Sequence, residues 1–170
     1  MKITKLQKET MDEFVWGGSG MVREAADWII ENIKSDEIIL EIGAGLTSTK
    51  FLSKYWKTYS VEQDKRWMAI ANDKINYIHA PLVDGWYDVN VLQQQLPTKY
   101  SMILIDGPVY GDREKIIDNI DLFNIKDTVI VVDDTYREKE RNIVNELFKL
   151  GKNIIFEGTE GGSPQFTVLK

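Results

Sequence analysis

The sequence contains no cysteine and a single histidine, His79. The first absence removes disulfides, thiolate nucleophiles and cysteine-ligated zinc, and the second leaves too little imidazole for a histidine-rich metal centre. Any metal would therefore be a hard ion held by oxygen. Nowhere do about 18 apolar residues run without interruption, the length that a membrane-crossing helix needs, so no membrane partner is expected and the cytoplasm is the default location. The 21 Lys and Arg are outnumbered by 27 Asp and Glu, and they form no dense stripe of the kind that grips a phosphate backbone. Nucleic acid is disfavoured as a partner on that ground.

What is present is the composition of an ordinary globular protein, 43% hydrophobic and 28% charged over 170 residues. That length suits one domain, and no internal repeat or linker divides it. Residues 21–170 are expected to form the single domain, and residues 1–20 an extension or lid. Oligomeric state is left open.

Five short apolar runs recur, at Ile38 to Ile42, Thr58 to Val61, Ile75 to His79, Ser101 to Ile105 and Thr128 to Val132. Each is continuous rather than alternating, which suits strands buried on both faces. Helical spacing precedes the first run (Val22, Ala25, Ala26, Ile29, Ile30, Ile33) and follows the fifth (Ile143, Val144, Leu147, Phe148, Leu150), with Gly151 at the expected C-cap. Strands alternating with helices imply right-handed crossovers, hence a doubly wound α/β fold with a mostly parallel sheet and helices on both faces. The segments Asn153 to Phe156 and Gln165 to Leu169 leave no room for a helix between them. They are predicted to close a seven-stranded sheet as an antiparallel hairpin around a glycine-rich loop.

Ligands of such sheets sit outside the carboxyl ends of the strands. The first run ends in Glu41-Ile42-Gly43-Ala44-Gly45-Leu46-Thr47, whose glycines permit a tight turn and close backbone approach, with Thr47 or Ser48 available to cap the next helix. The second run ends in Glu62, a carboxylate able to accept from both hydroxyls of a ribose. Together these describe a nucleoside site; the plain alternative is a turn beside a solvated strand end. A nicotinamide cofactor would call for a third glycine where Ser48 stands. Glu41, placed before the first glycine, suits a ligand with an ammonium group better than a diphosphate.

These residues resemble the first motif of class I S-adenosylmethionine-dependent methyltransferases, an acidic residue, any residue, then Gly-X-Gly. The resemblance extends over about residues 20 to 170. It implies that Glu41, Gly43 and Gly45 hold the methionine portion, Glu62 the ribose, and the stretch Ala80 to Asp84, through Leu82 or Asp84, the adenine. Ala44, Thr47, Gln63 and Asp106 complete the expected cofactor contacts. The chain departs from the commonest motif in having Thr47 where a third glycine often stands.

The fourth run ends in Asp106-Gly107-Pro108 and the fifth in Asp133-Asp134, which puts three carboxylates on the rim of the methyl donor. Clustered anions repel, so a cation is expected among them: the donor's sulfonium, a substrate amine or Mg²⁺. The pattern is similar to the metal triad of catechol-type and macrolide-sugar O-methyltransferases. By that resemblance Asp106, Asp133 and Asp134 would bind a metal that lowers the pKa of the acceptor hydroxyl, with Asp106 and Asp133 catalytic. Val109 and Tyr110 stand where catechol-type enzymes carry a lysine, so no general base is assigned. The plain alternatives are that Asp106 braces the Gly107-Pro108 turn and Asp134 caps the following helix.

Weaker signals are read conservatively. His79 is expected to make a structural hydrogen bond rather than act as a base. Trp16-Gly17-Gly18-Ser19-Gly20 is either a lid or a helix start capped by Ser19, Trp86, Tyr87 and Tyr110 are packed aromatics or a substrate wall, and Arg137 to Arg141 is a solvated helix face. The chain carries little beyond a cofactor-binding core, so the expected activity is methyl transfer to a small-molecule acceptor, at oxygen. A nicotinamide-dependent oxidoreductase and a non-catalytic S-adenosylmethionine-binding module are the alternatives.

Overall fold

The computed structural model describes residues 13–17, 20–71, 75–160 and 163–170. Nearly every apolar run becomes a strand because its residues are wanted on both faces at once. In β1 (Ile38–Ile42), Ile39 points into one apolar cluster while Leu40 and Ile42 point into another. The same division holds in β6 (Met102–Ile105) and β7 (Val129–Asp133): Met102, Leu104, Val129 and Val131 face the first cluster, and Ile103, Ile105, Ile130 and Val132 the second. Two-sided burial is why these runs are continuous rather than alternating.

The first cluster is covered by α1 (Arg23–Asn32) and α2 (Ser48–Tyr55), through Ala25, Ala26, Ile29, Ile30, Phe51 and Leu52. The second is covered by α3 (Val89–Gln95), α4 (Lys115–Asp118) and α5 (Glu138–Lys149), through Leu92, Ile116, Ile143, Val144 and Leu147. Helices therefore lie on both faces of the sheet. The α5 helix ends as its sequence requires: Gly151 has φ +92°, and its N–H and that of Lys152 donate back to Phe148 O and Leu147 O. An L-residue pays a steric penalty in that conformation and glycine does not.

With β2 (Lys57–Glu62), β3 (Ile75–His79), β8 (Ile154–Glu160) and β9 (Ser163–Leu169), the sheet has seven strands in the order β3-β2-β1-β6-β7-β9-β8. The first five are parallel, and β9 runs antiparallel to both β7 and β8. The chain builds outward from β1 through β2 to β3, then crosses back to place β6 on the other side of β1. The strand order thus reverses between β1 and β6, and it is at the carboxyl ends of strands flanking such a reversal that ligands of these sheets bind.

Two details depart from the sequence reading. The closing strands are longer than expected and absorb most of the glycine-rich stretch. Gly158 lies inside β8 because the Phe166 ring rests on it, so closely that a Cβ would fall 1.9 Å from that ring. A small hairpin, β4 (Leu82–Val83) and β5 (Trp86–Tyr87), follows β3 where a single ligand-binding stretch was expected; Asp84 and Gly85 turn it at φ +52° and +82°. No helix among the described residues is long and apolar enough to cross a membrane.

Candidate active site

The glycine turn is locked from beneath by Glu41. This carboxylate is fully buried, and its Oε2 accepts from the hydroxyls of Thr49 at 2.8 Å and Ser60 at 2.5 Å. Thr49 Oγ1 also accepts from Gly45 N–H at 2.8 Å, so one hydroxyl ties the turn to the acid below it. Glu41 Oε1 and Ser48 Oγ, both buried, have no protein partner. Burial pushes Glu41 up to about 7, against the hydrogen bonds from Ser60 and Thr49. Thr49 and Ser60 carry no motif signal and become visible only once α2 and β2 are packed on β1.

Gly43, at φ +97°, meets the turn that follows β6: a Cβ on it would come within 2.6 Å of Gly107 Cα. The ends of β1 and β6 therefore touch through glycines. Thr47 does not cap α2. Its hydroxyl donates to Val15 O at 2.7 Å and lies against Gly20, which fastens the preceding segment across the turn. That segment is further anchored where Phe14 and Trp16 meet the Phe51 ring, at centroid distances of 5.9 and 5.5 Å. Gly18, Ser19 and residues 1–12 lie outside the described residues, so the expected cap at Ser19 is among them.

Glu62 ends β2 almost wholly buried. Its Oε2 accepts from Ala44 N–H at 2.9 Å and its Oε1 from Asp64 N–H at 2.8 Å, leaving a second lone pair on each oxygen. Burial raises its pKa and these backbone donors oppose the rise. Gln63 is half-buried with its Oε1 unpartnered, and its carbonyl lies 3.1 Å from His79 Nε2, the structural contact expected of that histidine. Leu82 lies on β4 against the second cluster, whereas Asp84 is exposed at the hairpin tip. The hairpin is tied to the loop after β6 by Asp112 N–H donating to Gly85 O at 2.8 Å and by Lys115 Nζ donating to Asp84 O. Tyr87 is buried in the core and its unpartnered hydroxyl abuts Gly107, while Tyr110 is exposed on the rim.

Asp106, Asp133 and Asp134 do share the rim, and Arg113, a cation that the sequence reading did not name, stands between Asp106 and Asp134. Its guanidinium, on a side chain only 10% accessible, reaches Asp106 at 3.2 Å, Asp134 at 3.1 Å and Glu140 at 3.3 Å. Glu140 is thus buried, contrary to the expectation that Arg137 to Arg141 forms a solvated face, and Arg137 itself pairs with Asp134 at 2.8 Å. Asp134 holds φ +58° and directs its carboxylate to these arginines, leaving α5 without a side-chain cap. Arg113 is the one basic residue between Asp106 and Glu114. That is the only sequence signal of its role, and it reads equally as a surface loop charge.

Asp133 differs from its neighbours. It is 7% exposed, makes no ion pair among the described residues, and lines a cavity of about 100 Å³ together with Asp134, Gly20, Val22, Tyr136 and Gln165. Burial, then the charge of Asp134, pushes its pKa up to about 7. Asp106 is driven well above the ordinary carboxylate range by burial and by Asp133, with Arg113 opposing. It faces the glycine turn, since a Cβ on Gly45 would sit 3.7 Å from its Oδ2.

No family model and no curated protein matches this sequence. Solved structures do match its fold. Precorrin-6Y C5,15-methyltransferase from Geobacter metallireducens superposes with a TM-score of 0.60 at 17% identity, over 93% of this chain and 91% of that one. The chain has the Rossmann-like methyltransferase fold. Fibrillarin from Aeropyrum pernix, solved with natively bound S-adenosylmethionine, matches at a TM-score of 0.60 and 15% identity over 87% and 74% of the two chains. Magnesium protoporphyrin IX methyltransferase from Synechocystis, also solved with S-adenosylmethionine, matches at 0.54 and 15% over 100% and 86%.

Within this methyltransferase fold the carboxylates do not suit the metal that the triad pattern implies. A divalent ion needs oxygen ligands converging at about 2.0–2.6 Å, and the guanidinium of Arg113 already stands between Asp106 and Asp134. Among the described residues, no three His, Asp or Glu side chains form a group able to hold an ion.

Proposed function

We propose that the protein is an S-adenosylmethionine-dependent methyltransferase acting on a hydroxyl of a small molecule. The observation that carries this reading is the pair of buried acids flanking the glycine turn at the strand-order reversal, Glu41 below it and Glu62 beside it. The chain's residues fit the cofactor. Glu41 Oε1 and Ser48 Oγ are buried polar atoms left without protein partners, matched to an ammonium and a carboxylate, and Glu62 retains lone pairs for two ribose hydroxyls. Gly43 and Gly45 allow the backbone to approach closely. Ser48 occupies the helix start where a dinucleotide site would need a glycine.

When bound, S-adenosylmethionine supplies an electrophilic methyl group on a sulfonium. The residues of the rim then have two tasks. The cavity at the end of β7 holds the acceptor; beside Asp133 and Asp134 its lining includes Tyr136 and Gln165, neutral residues able to hydrogen-bond an alcohol or phenol. Asp133 accepts the hydrogen bond of the acceptor hydroxyl and takes its proton as the new carbon–oxygen bond forms, a role for which a carboxylate titrating at about 7 is suited. Asp106, held between the glycine turn and Arg113, closes the rim beside the turn.

Titration calorimetry with S-adenosylhomocysteine tests the reading. Binding by the native chain and its weakening in Glu62→Gln are the expected results. No heat with either S-adenosylmethionine or its demethylated product overturns it, and a thermal shift with NADH alone would assign the fold to an oxidoreductase. Cofactor binding with biological function intact in Asp106→Ala and Asp133→Ala would instead identify a non-catalytic binding module.

A further inference from the structure

Exposed apolar side chains gather at one edge of the sheet. Leu46 follows the end of β1, Trp67 that of β2, Val83 that of β3, Val109 and Tyr110 that of β6, and Tyr136 that of β7, each within five residues of its strand. Every parallel strand thus carries a large exposed hydrophobic residue just past its carboxyl end. Val15, whose carbonyl accepts from Thr47 beside Leu46, adds to the row. The other large exposed hydrophobics among the described residues are Phe148, Leu150, Ile154 and Ile155, where α5 hands over to β8. Single exposed apolar side chains are ordinary, but a row of them from neighbouring strands, at the edge where such sheets bind ligands, marks a contact surface.

The size of the polar cavity says what that surface contacts. The cavity at the end of β7 encloses about 100 Å³, whereas a benzene ring occupies one of roughly 150 Å³. Only the hydroxyl-bearing end of an acceptor fits inside, and the remainder lies on the surface around it. Tyr136 passes from the cavity wall to that surface, its ring held by Arg137, whose guanidinium lies 5.1 Å from the ring centroid and donates to the hydroxyl at 3.1 and 2.9 Å. Next along the sheet come Val109 and Tyr110 past β6, 63% and 79% exposed, and then Leu46 past β1, 56% exposed. Charge narrows the class further. Asp133 and Asp134 line the cavity, and the arginines of the rim are engaged, Arg113 by Asp106, Asp134 and Glu140, and Arg137 by Asp134. An anionic group would meet repulsion there, and neither guanidinium is free to receive it.

We infer that the acceptor is an alcohol or phenol with an uncharged apolar body larger than the cavity: its hydroxyl end enters beside Asp133, and its body lies outside, across Leu46, Val109, Tyr110 and Tyr136. The part played by the hydroxyl rests on the methyltransferase reading above. Covering these side chains removes apolar area from water on both partners, which favours the complex without any polar contact to the body.

Calorimetric titration of 2-naphthol and phenol into the native chain, with and without S-adenosylhomocysteine, tests the inference. The two probes carry the same hydroxyl and differ by one ring. 2-Naphthol should bind roughly tenfold more tightly than phenol, the worth of covering the added ring. 2-Naphthoate, with a carboxylate in place of the hydroxyl, should bind roughly tenfold more weakly than 2-naphthol. Leu46→Ser/Val109→Ser should cut the advantage of 2-naphthol to about twofold and leave phenol binding unchanged. Both side chains are exposed, so the core is untouched; Val109→Ser/Tyr110→Ser repeats the comparison if the first variant does not fold. Equal affinity for 2-naphthol and phenol overturns the inference, as does an advantage that survives the double substitutions, 2-naphthoate bound as tightly as 2-naphthol, or no heat with any of the three. The two readings fail differently. Heat from 2-naphthol that depends on Leu46 and Val109, in a chain giving none with S-adenosylhomocysteine, leaves the apolar surface standing and removes methyl transfer from it. Heat with S-adenosylhomocysteine alone keeps the cofactor reading and overturns the acceptor class.

Discussion

Gly43 and Gly107 meet face to face, each so placed that a Cβ on one would lie 2.6 Å from the Cα of the other. This contact sets the separation of the β1 and β6 ends, and with it the position of Asp106 above the glycine turn. Backbone atoms cannot yield as a flexible side chain would, so an added methyl must part the two strands. Gly107→Ala should therefore destabilise the protein by about 1–3 kcal/mol, as overpacking does, and weaken S-adenosylhomocysteine binding as well. Thermal denaturation and calorimetry check both; an unchanged melting temperature with unchanged affinity would mean that the strand ends tolerate separation.

Glu41 makes both stability and ligand binding depend on pH, in opposite senses. Its pKa is raised from 4.5 to about 7 in the folded chain, so the folded state favours the protonated form. Its stabilising contribution is full below the unfolded value and is lost as pH rises through the folded one. Across that window Glu41→Gln should flatten the decline of unfolding free energy by about 3 kcal/mol, measured by denaturant titration. Binding of a ligand ammonium needs the ionised form, so affinity for S-adenosylhomocysteine should increase over the same range in the native chain and not in the variant.

Asp133 is expected to act on the acceptor and not on the cofactor. Asp133→Asn should leave affinity for S-adenosylhomocysteine unchanged while lowering kcat by about 10²–10⁴-fold, the usual contribution of a positioned base. The native pH–rate profile should rise to a plateau above about 7, following ionisation of this carboxylate, and the rise should vanish in the variant. Equal losses in cofactor affinity and kcat would place Asp133 in the cofactor site instead.

Thr47 connects the glycine turn to the preceding segment through its hydroxyl on Val15 O. Thr47→Val keeps the shape and removes the donor, at an expected cost of about 0.5–1.5 kcal/mol. Limited proteolysis should cut within residues 13–17 sooner than in the native protein. Retention of native resistance would show that the aromatic contacts of Phe14 and Trp16 hold the segment alone.

The amino-acid pattern by itself determined the architecture. Continuous apolar runs can be buried only between two helical layers, and the short link before Gln165 can only reverse direction, so a parallel sheet with an antiparallel close was legible without coordinates. Glu41, the glycines and Glu62 were legible too, because strand ends and turns are local features. The tertiary structure alone decided the chemistry of the opposite rim. Asp106, Asp133 and Asp134 read as a metal triad while their partners were unknown; packing brought in Arg113 from a loop and Glu140 from what looked like a solvated helix face, and left Asp133, alone of the three, without an ion pair among the described residues. Charge pairing depends on distances across elements far apart in sequence, and no local spacing encodes which basic side chain will be buried among which acids.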